Sequence, residues 1–275
     1  MKRMAVGMAV LSAMLVLAGC ARQILGSSAE ERVERTVPMP AGGTFALDNI
    51  NGSITLTVGK PGEVRIVAIK RVQAFSQEKA KEGLAKLEVG VTDTGKGVRV
   101  ETRYPKSAGF LAGMGFSGTV TFDVAVPEGT PAKLATVNGT ITADVPASAI
   151  SCETTNGKVD ALTCGRIDAA VVNGTIRFKA QNAGEVTTTN GSIEGQILSH
   201  APEKAHLETV NGSIALALYP DAALHLSAEN VNGGVSTEIK GLSESKHELF
   251  GDLNGGGHTV SVETVNGSIH LRPIR

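Results

Sequence analysis

The dipeptide Asn-Gly recurs along this chain, and at eight places an Ile or Val stands two residues after the glycine. The eight asparagines are Asn51, Asn138, Asn156, Asn173, Asn190, Asn211, Asn232 and Asn266. From Asn138 onward the spacings are 18, 17, 17, 21 and 21 residues, and the last one is 34, which is twice 17. A regular period near 20 residues indicates a repeat architecture.

Apolar and polar residues alternate on both sides of each Asn-Gly. Residues four and two positions before the asparagine are mostly apolar or Thr, as with Leu207 and Thr209, while a residue such as Glu208 lies between them. After the glycine, alternate positions are again apolar, as in Ile214 and Leu216. Each repeat is therefore predicted to contain two short half-buried strands joined at the Asn-Gly.

The repeats predict an all-β protein, and two arrangements fit them. Asn-Gly favours the type I′ turn of hairpins, which would give an antiparallel hairpin-repeat sheet or barrel. We favour a parallel β-helix, or solenoid, because every repeat has the same phase and direction. In such a stack the Asn amides can hydrogen-bond from turn to turn, and glycine supplies the positive φ of the corner.

Composition agrees with a solenoid. The chain of 275 residues has 33 Gly, no Trp, seven Phe and two Tyr. That much glycine is unfavourable in a coiled coil, and a narrow interior accepts aliphatic side chains more easily than rings. The formal net charge of −1 and the few aromatic residues argue against nucleic acid as a partner.

The part before the main repeats is less regular. Residues 36–130 are predicted to form a β-rich section, continuous in one domain with the repeats of 131–275, with strands near 64–72, 87–91, 98–104 and 119–126. Ser76 is predicted to cap a short helix that reaches Leu87. The Gly-rich loop 106–118 carries apolar side chains that can plug the fold or touch a partner or lipid. Residues 241–258 are predicted to form an irregular rung or loop.

The N-terminus has the pattern of an export signal. Lys2 and Arg3 precede an apolar stretch over 4–17, which is short for a membrane-spanning helix. Leu17-Ala18-Gly19-Cys20 resembles the bacterial lipobox, which implies removal of 1–19 as a lipoprotein signal peptide and lipidation of Cys20. Residues 20–35 would then be a short tether, and an uncleaved membrane helix or an ordinary cleaved signal is the alternative. Ala21, where an aspartate often retains lipoproteins in the inner membrane, favours the outer membrane, and we expect the domain to face the periplasm.

The remaining cysteines, Cys152 and Cys164, allow two alternatives. In an oxidising compartment they can form a disulfide, which would contribute about 3 kcal/mol for so short a loop. They can equally be two buried reduced thiols. The sequence leaves both alternatives open, because it does not determine whether the Cα atoms come within about 7 Å.

A search for catalytic or ligand-binding motifs identifies no complete constellation. The sequence contains no His-x-x-x-His or Cys-x-x-Cys pair, no Gly-x-Ser-x-Gly elbow and no phosphate-binding loop. We therefore expect no catalytic residues, no metal and no cofactor. Parallel β-helices can carry carboxylates on an outer face for polysaccharide cleavage, so two sets of outward residues are candidates: Asp160, Arg177 and Glu194, and Glu208, Glu229 and Glu263. Solvation is the simpler explanation of both sets.

The Thr-Val-Asn-Gly-Ser-Ile units, the Val-Pro-Glu-Gly step at 126–129 and the closing Glu-Thr-Val-Asn-Gly-Ser-Ile at 263–269 resemble the bacterial "putative adhesin" family of β-strand-repeat envelope proteins. The resemblance covers about 36–275, and the family is related to head domains of autotransporter adhesins. It implies a β-helix-like fold and provides no catalytic or ligand residues to transfer.

These observations together lead us to expect a non-catalytic envelope lipoprotein that binds or scaffolds. Its partners would be the membrane, through the lipid, and a protein or glycan of the envelope. A carbohydrate-active enzyme and an accessory of envelope stress signalling are the alternatives.

Overall fold

A computed structural model of the chain describes residues 26–104, 117–146 and 148–274. The described residues form 19 strands and one short helix, so the protein is all-β, as predicted. The helix is α1 (Gln77–Lys86). The strands are β1 (Ser27–Pro38), β2 (Thr44–Asp48), β3 (Ile54–Val58), β4 (Glu63–Ala74), β5 (Glu88–Asp93), β6 (Gly97–Arg103), β7 (Ser117–Val126), β8 (Ala132–Asn138), β9 (Ile141–Asp144), β10 (Ala149–Asn156), β11 (Val159–Asn173), β12 (Ile176–Asn190), β13 (Ile193–Ile197), β14 (Ala205–Asn211), β15 (Ile214–Leu218), β16 (Leu224–Thr237), β17 (Ser243–Glu244), β18 (Glu248–Leu253) and β19 (Thr259–Pro273).

The described residues belong to two compact units. The small unit contains residues 26–32, 69–88, 103–104 and 117–119. The solenoid unit contains residues 33–68, 89–102, 120–146 and 148–274, and thus all the Asn-Gly repeats. The prediction that 36–130 and 131–275 make one domain stays a prediction.

The repeats of the solenoid unit pair in parallel, so the antiparallel hairpin alternative is wrong. β10 lies beside the second half of β11, with Cys152 opposite Ala169 and Asn156 opposite Asn173. The first half of β11 pairs instead with β9 and with the start of β12. One turn therefore adds a strand to each of two parallel sheets. We call the sheet whose strands lead into Asn-Gly the front sheet, and the sheet whose strands leave it the back sheet.

The rungs follow the order of the chain in the middle of the unit but not at its two ends. β2 and β3 lie between the rung of β6 and β7 and the rung of β8 and β9. At the other end β19 lies between β16 and the pair β14 and β15. The spatial order of the last corners is therefore Asn211, Asn266 and Asn232, which the repeat spacing alone did not predict.

The long interval between Asn232 and Asn266 contains a strand that covers an edge of the sheet. β18 pairs antiparallel with the first half of β16, with Ala228 opposite Leu249, and the two-residue β17 pairs with β18. The segment 241–258, predicted as an irregular rung or loop, thus covers the free edge of β16 before the chain returns to insert β19. Covering an edge in this way hides backbone groups that would otherwise pair with another molecule.

The core of the solenoid unit is aliphatic, as the alternation predicts. Inward side chains such as Ile54, Ile141, Ile176 and Ile214 are completely buried. One buried ring, that of Phe178, occupies the space in front of Gly195 on the neighbouring strand, where a Cβ would overlap the ring. Phe45 and Phe122, the other two buried rings of this unit, lie opposite side chains of the adjacent strands, Val98 and Ala132 for Phe45 and Ile54 for Phe122.

The small unit contains the predicted helix. Ser76 caps α1, and its Oγ accepts a hydrogen bond from the Lys79 amide at 3.3 Å. Ala29, Ala74 and Ala80 form a small buried cluster against which Leu84 packs. This cluster joins the start of β1, the end of β4 and the helix.

Several predictions lie outside the described residues. These are the signal peptide 1–19, Cys20 and most of the loop 106–118, and all of them stay predictions. Among the described residues, no helix combines the length and the apolar character needed to cross a membrane.

Candidate functional site

The eight corner asparagines form one continuous side-chain ladder along the solenoid unit. Seven of the eight donate their Nδ2 to the Oδ1 of the next asparagine at 2.7–3.0 Å, and Asn51, at one end, accepts from Asn138; the sequence predicts such a ladder. In spatial order the members are Asn51, Asn138, Asn156, Asn173, Asn190, Asn211, Asn266 and Asn232. The ladder fixes the register of the rungs, because one residue of slip would break it.

Glycine is required at the corners mainly because adjacent rungs approach closely, and less because of the backbone angle φ. Only four of them have the positive φ that the sequence predicts for all eight, namely Gly52, Gly174, Gly191 and Gly233. At every corner, however, a Cβ would overlap a backbone carbonyl oxygen on the adjacent strand. At Gly157, for example, the overlap is with the carbonyl of Gly139, and no positive φ is involved. The stacking distance between rungs therefore selects glycine.

A second ladder lies inside the first, and sequence analysis missed its role. The buried Thr two residues before the asparagine donates its hydroxyl to the corner-glycine carbonyl of the adjacent rung, as Thr209 does to Gly191 at 2.9 Å and Thr264 to Gly212 at 3.0 Å. Asn49 and Asn230 occupy this position near the two ends, and Asn230 donates to Gly267 at 2.7 Å. The recurrence of Thr or Asn at this position was the available signal.

The outer face of the front sheet carries an exposed column that sequence analysis also missed. The residue immediately before each corner asparagine is β-branched in all eight repeats, and we call this set the branched column: Ile50, Val137, Thr155, Val172, Thr189, Val210, Val265 and Val231. Val137 is 40%, Val172 is 44% and Val231 is 65% exposed. Ala135 and Ala170 line an open depression of about 420 Å³ beside it.

The outer face of the back sheet brings together the first predicted set of charges. Asp160, Arg177 and Glu194 lie opposite one another on adjacent strands. Arg177 is 2.8 Å from Glu194, and the hydrogen bond and charge of Glu194 raise the pKa of Arg177. Lys158 is 2.8 Å from Asp160. Asp160, Arg177 and Glu194 line an open depression of about 330 Å³ in this face.

The second predicted set is also adjacent, although in a different order. Glu263 lies between Glu208 and Glu229 on the front sheet, because β19 is inserted there. His206 contacts two of the carboxylates, at 3.4 Å from Glu208 and 3.7 Å from Glu263. Over residues 26–104, 117–146 and 148–274 no cluster of three or more side chains has the arrangement of a metal site.

Cys152 and Cys164 are buried, and both are free thiols in this structure. Burial raises the pKa of Cys164 to about 12, and it raises the pKa of Cys152 further, with a smaller contribution from Cys164. Cys164 Sγ is 3.8 Å from the carbonyl oxygen of Lys179. Both thiols are therefore protonated at neutral pH and shielded from reagents in solution.

Comparison with known proteins identifies similar solved structures of low sequence identity. A "putative adhesin" from Bacteroides fragilis NCTC 9343 is 13% identical, with 89% of this chain and 97% of that chain covered and a TM-score of 0.42. A "putative lipid binding protein" from Parabacteroides distasonis ATCC 8503 is 11% identical over 91% and 98%, with a TM-score of 0.39. A "putative cell adhesion protein" from Clostridium sporogenes ATCC 15579 is 10% identical over 89% and 100%, with a TM-score of 0.33.

No protein-family model and no curated protein matches the chain. Likeness at these identities and TM-scores carries no argument about activity.

Proposed function

We propose that this protein is a non-catalytic lipoprotein of the cell envelope whose solenoid unit binds an envelope protein or glycan. Its anchor would be Cys20, in the outer membrane and on the periplasmic side. The observation that carries the binding role is the branched column, which has six Ile or Val residues and two Thr, with three of the valines at 40–65% exposure. Exposed apolar surface bordered by polar residues is typical of an interaction surface.

The backbone under the branched column is already ordered. Parallel pairing, the Asn ladder and the Thr hydroxyls hold each rung from two sides. Val and Ile also have few rotamers to lose on binding. Association with this face would therefore cost little conformational entropy, which is the main benefit of a preorganised surface.

The charges on the back sheet have a structural explanation. Asp160 and Glu194 each form an ion pair with a basic neighbour at 2.8 Å, and Glu194 is half exposed. Pairing with a basic neighbour on an open face accounts for each carboxylate without a catalytic role. These pairings support the non-catalytic proposal.

Site-specific photocrosslinking in cells tests the binding role. A photoreactive phenylalanine analogue at Val172, 44% exposed on the front face, is expected to give a crosslinked product. The same analogue at Leu162, 50% exposed on the back sheet, is the matched control and should give none. The product should disappear when Val137→Glu places a charge in the branched column. Equal crosslinking from both positions, or none from Val172, would overturn the proposed face.

Membrane fractionation tests the anchor. The mature wild-type protein should sediment with outer membranes, and Cys20→Ser should release the protein to the soluble fraction or leave its signal uncleaved. Cys152→Ser is the matched control and should stay with the membrane, because that thiol is buried in the solenoid unit. Sedimentation of Cys20→Ser as a processed membrane protein would contradict lipid anchoring.

The depression on the back sheet favours one second candidate, a carbohydrate-active enzyme that uses Asp160 and Glu194. The two carboxylates lie on either side of Arg177 and line the same open depression. Purified mature protein would then cleave a cell-wall or capsular glycan, and Asp160→Asn and Glu194→Gln would abolish the cleavage. We expect no cleavage by the wild-type protein, and turnover lost in both variants would replace our proposal with this one.

A further inference from the structure

Phe75 is the most exposed large apolar side chain among the described residues, at 80%. It lies in the small unit, between the end of β4 and the N-terminal cap of α1. Its neighbour Ala74 belongs to the buried alanine cluster, so the backbone that carries Phe75 is held in place. The ring itself has no such packing, although burial of a Phe ring is normally strongly favourable.

The distance between Phe75 and a lipid on Cys20 is limited by the short segment between Cys20 and Gly26. Gly26, the first described residue, lies against Ala74, since a Cβ on Gly26 would stand 3.1 Å from the carbonyl oxygen of Ala74. Five residues lie between Cys20 and Gly26, so the two are six residue steps apart. Fully extended, six steps span at most about 22 Å, at 3.3–3.6 Å per step. A lipid on Cys20 would therefore keep Phe75 within a short distance of the bilayer surface.

The residues next to Phe75 in sequence are uncharged, which favours contact with lipid over contact with a charged partner. Residues 72–77 carry no charge. The basic residues just before them are neutralised inside the small unit, where Lys70 is 2.6 Å from Glu31 and Arg71 pairs with Glu30. The contact would accordingly be apolar, with little contribution from anionic headgroups.

We infer that Phe75 inserts into the headgroup boundary of the bilayer that holds the lipid anchor, and so orients the small unit on the membrane. The inference rests on the proposed lipidation of Cys20. One exposed ring would not hold a free protein on a membrane. The anchor makes the contact intramolecular, however, and raises the effective concentration of lipid at the ring.

Tryptophan fluorescence tests the inference directly, because the chain contains no Trp. The lipidated full chain with Phe75→Trp is extracted and reconstituted into phosphatidylcholine vesicles, some with brominated acyl chains. Phe250→Trp, at a 54% exposed position on β18, is the matched control. Trp at position 75 should shift its emission to the blue and be quenched by bromine at least about twofold more than Trp at position 250. Circular dichroism checks that both variants are folded.

The outcomes separate the inference from the proposed function. If the protein floats with the vesicles while Trp at position 75 stays unshifted and unquenched, the membrane contact is wrong and lipid anchoring stands. If the protein does not float, anchoring fails and the inference fails with it. High salt or added phosphatidylglycerol should change neither the emission shift nor the quenching. A shift that appears only with phosphatidylglycerol would overturn the apolar contact.

Discussion

At the scale of single residues, the corner glycines show how strongly rung spacing constrains the sequence. The sequence correctly placed glycine at every corner, but the expected cause, positive φ, applies to four of the eight. The general cause is a backbone carbonyl of the adjacent strand in the position of a Cβ. Pattern analysis could not identify this cause, because the clash depends on the distance between residues far apart in sequence.

Gly157→Ala isolates the steric cause, because Gly157 has no positive φ. The new methyl group must displace the backbone of Gly139, so we expect the free energy of unfolding to fall by more than about 2 kcal/mol. Gly234→Ala is the control, since its nearest atom would be 3.9 Å away. It should be neutral or stabilising by up to about 1 kcal/mol. Equal denaturant midpoints for the two variants would contradict a clash.

Thr209 tests the inner ladder. Thr209→Val keeps the shape of the side chain and removes the hydrogen bond to Gly191, so stability in denaturant should fall by about 1 kcal/mol. Another repeat has a valine, Val171, at the equivalent position. Val171→Thr should therefore leave stability unchanged or raise it by up to about 1 kcal/mol. The hydroxyl ladder is of no energetic importance if Thr209→Val is as stable as the wild type.

The buried cysteines give a prediction about thiol reactivity. Burial moves the pKa of Cys164 from 9.0 to about 12, so little thiolate forms in the folded protein even in mildly alkaline solution. In the Cys20→Ser variant we expect both thiols to react slowly with an aromatic disulfide reagent, and rapidly in concentrated guanidinium. Because the folded pKa is raised, the folded state is favoured below pH 9 and loses this advantage as pH rises toward 12. Absence of reactive thiols in denaturant would show that the disulfide forms instead.

At the scale of secondary structure, periodicity predicted most strands and Ser76 predicted the helix. The predicted range 64–72 lies within β4, and α1 begins directly after Ser76. The antiparallel β18 was not predictable, because 241–258 has no Asn-Gly corner of the repeat type. Its pairing also depends on the free edge of β16, which is known only once the fold is known. Nor did the sequence show that Ile50, Val137 and their equivalents form one exposed column, because exposure depends on what covers the sheet.

The ion pairs of α1 predict a response to acid. Lys79 and Lys86 each lie 2.8 Å from Glu82, and these hydrogen bonds and charges lower the pKa of Glu82 from 4.5 to about 2. A lowered folded pKa means that the pairs stabilise the helix above pH 4.5, and that this contribution is lost as pH falls toward 2. The Glu82 carboxyl resonance should titrate near pH 2, and Glu82→Gln should remove this part of the acid response. A midpoint at the ordinary value would contradict persistent pairing in solution.

At the scale of the whole repeat array, stability should be close to a sum over rungs and their interfaces. Deletion of 157–173 removes one 17-residue period and joins Asn156 to Gly174, which restores a normal corner. We expect a folded protein with a parallel-sheet circular dichroism spectrum and a lower melting temperature. Deletion of 157–172 is the control, because its extra residue shifts the alternation by one and turns apolar side chains outward. That variant should not fold cooperatively, and comparable melting of the two deletions would contradict register control.

The insertion of β19 between β15 and β16 has a consequence for biosynthesis. As the chain emerges from the ribosome, β16 is synthesised before the strand that must lie between it and the preceding rung. This end of the stack therefore closes only when the 15-residue strand β19 has been synthesised. A polypeptide that stops before β19 would leave unpaired edges on β14, β15 and β16, to which another strand could pair.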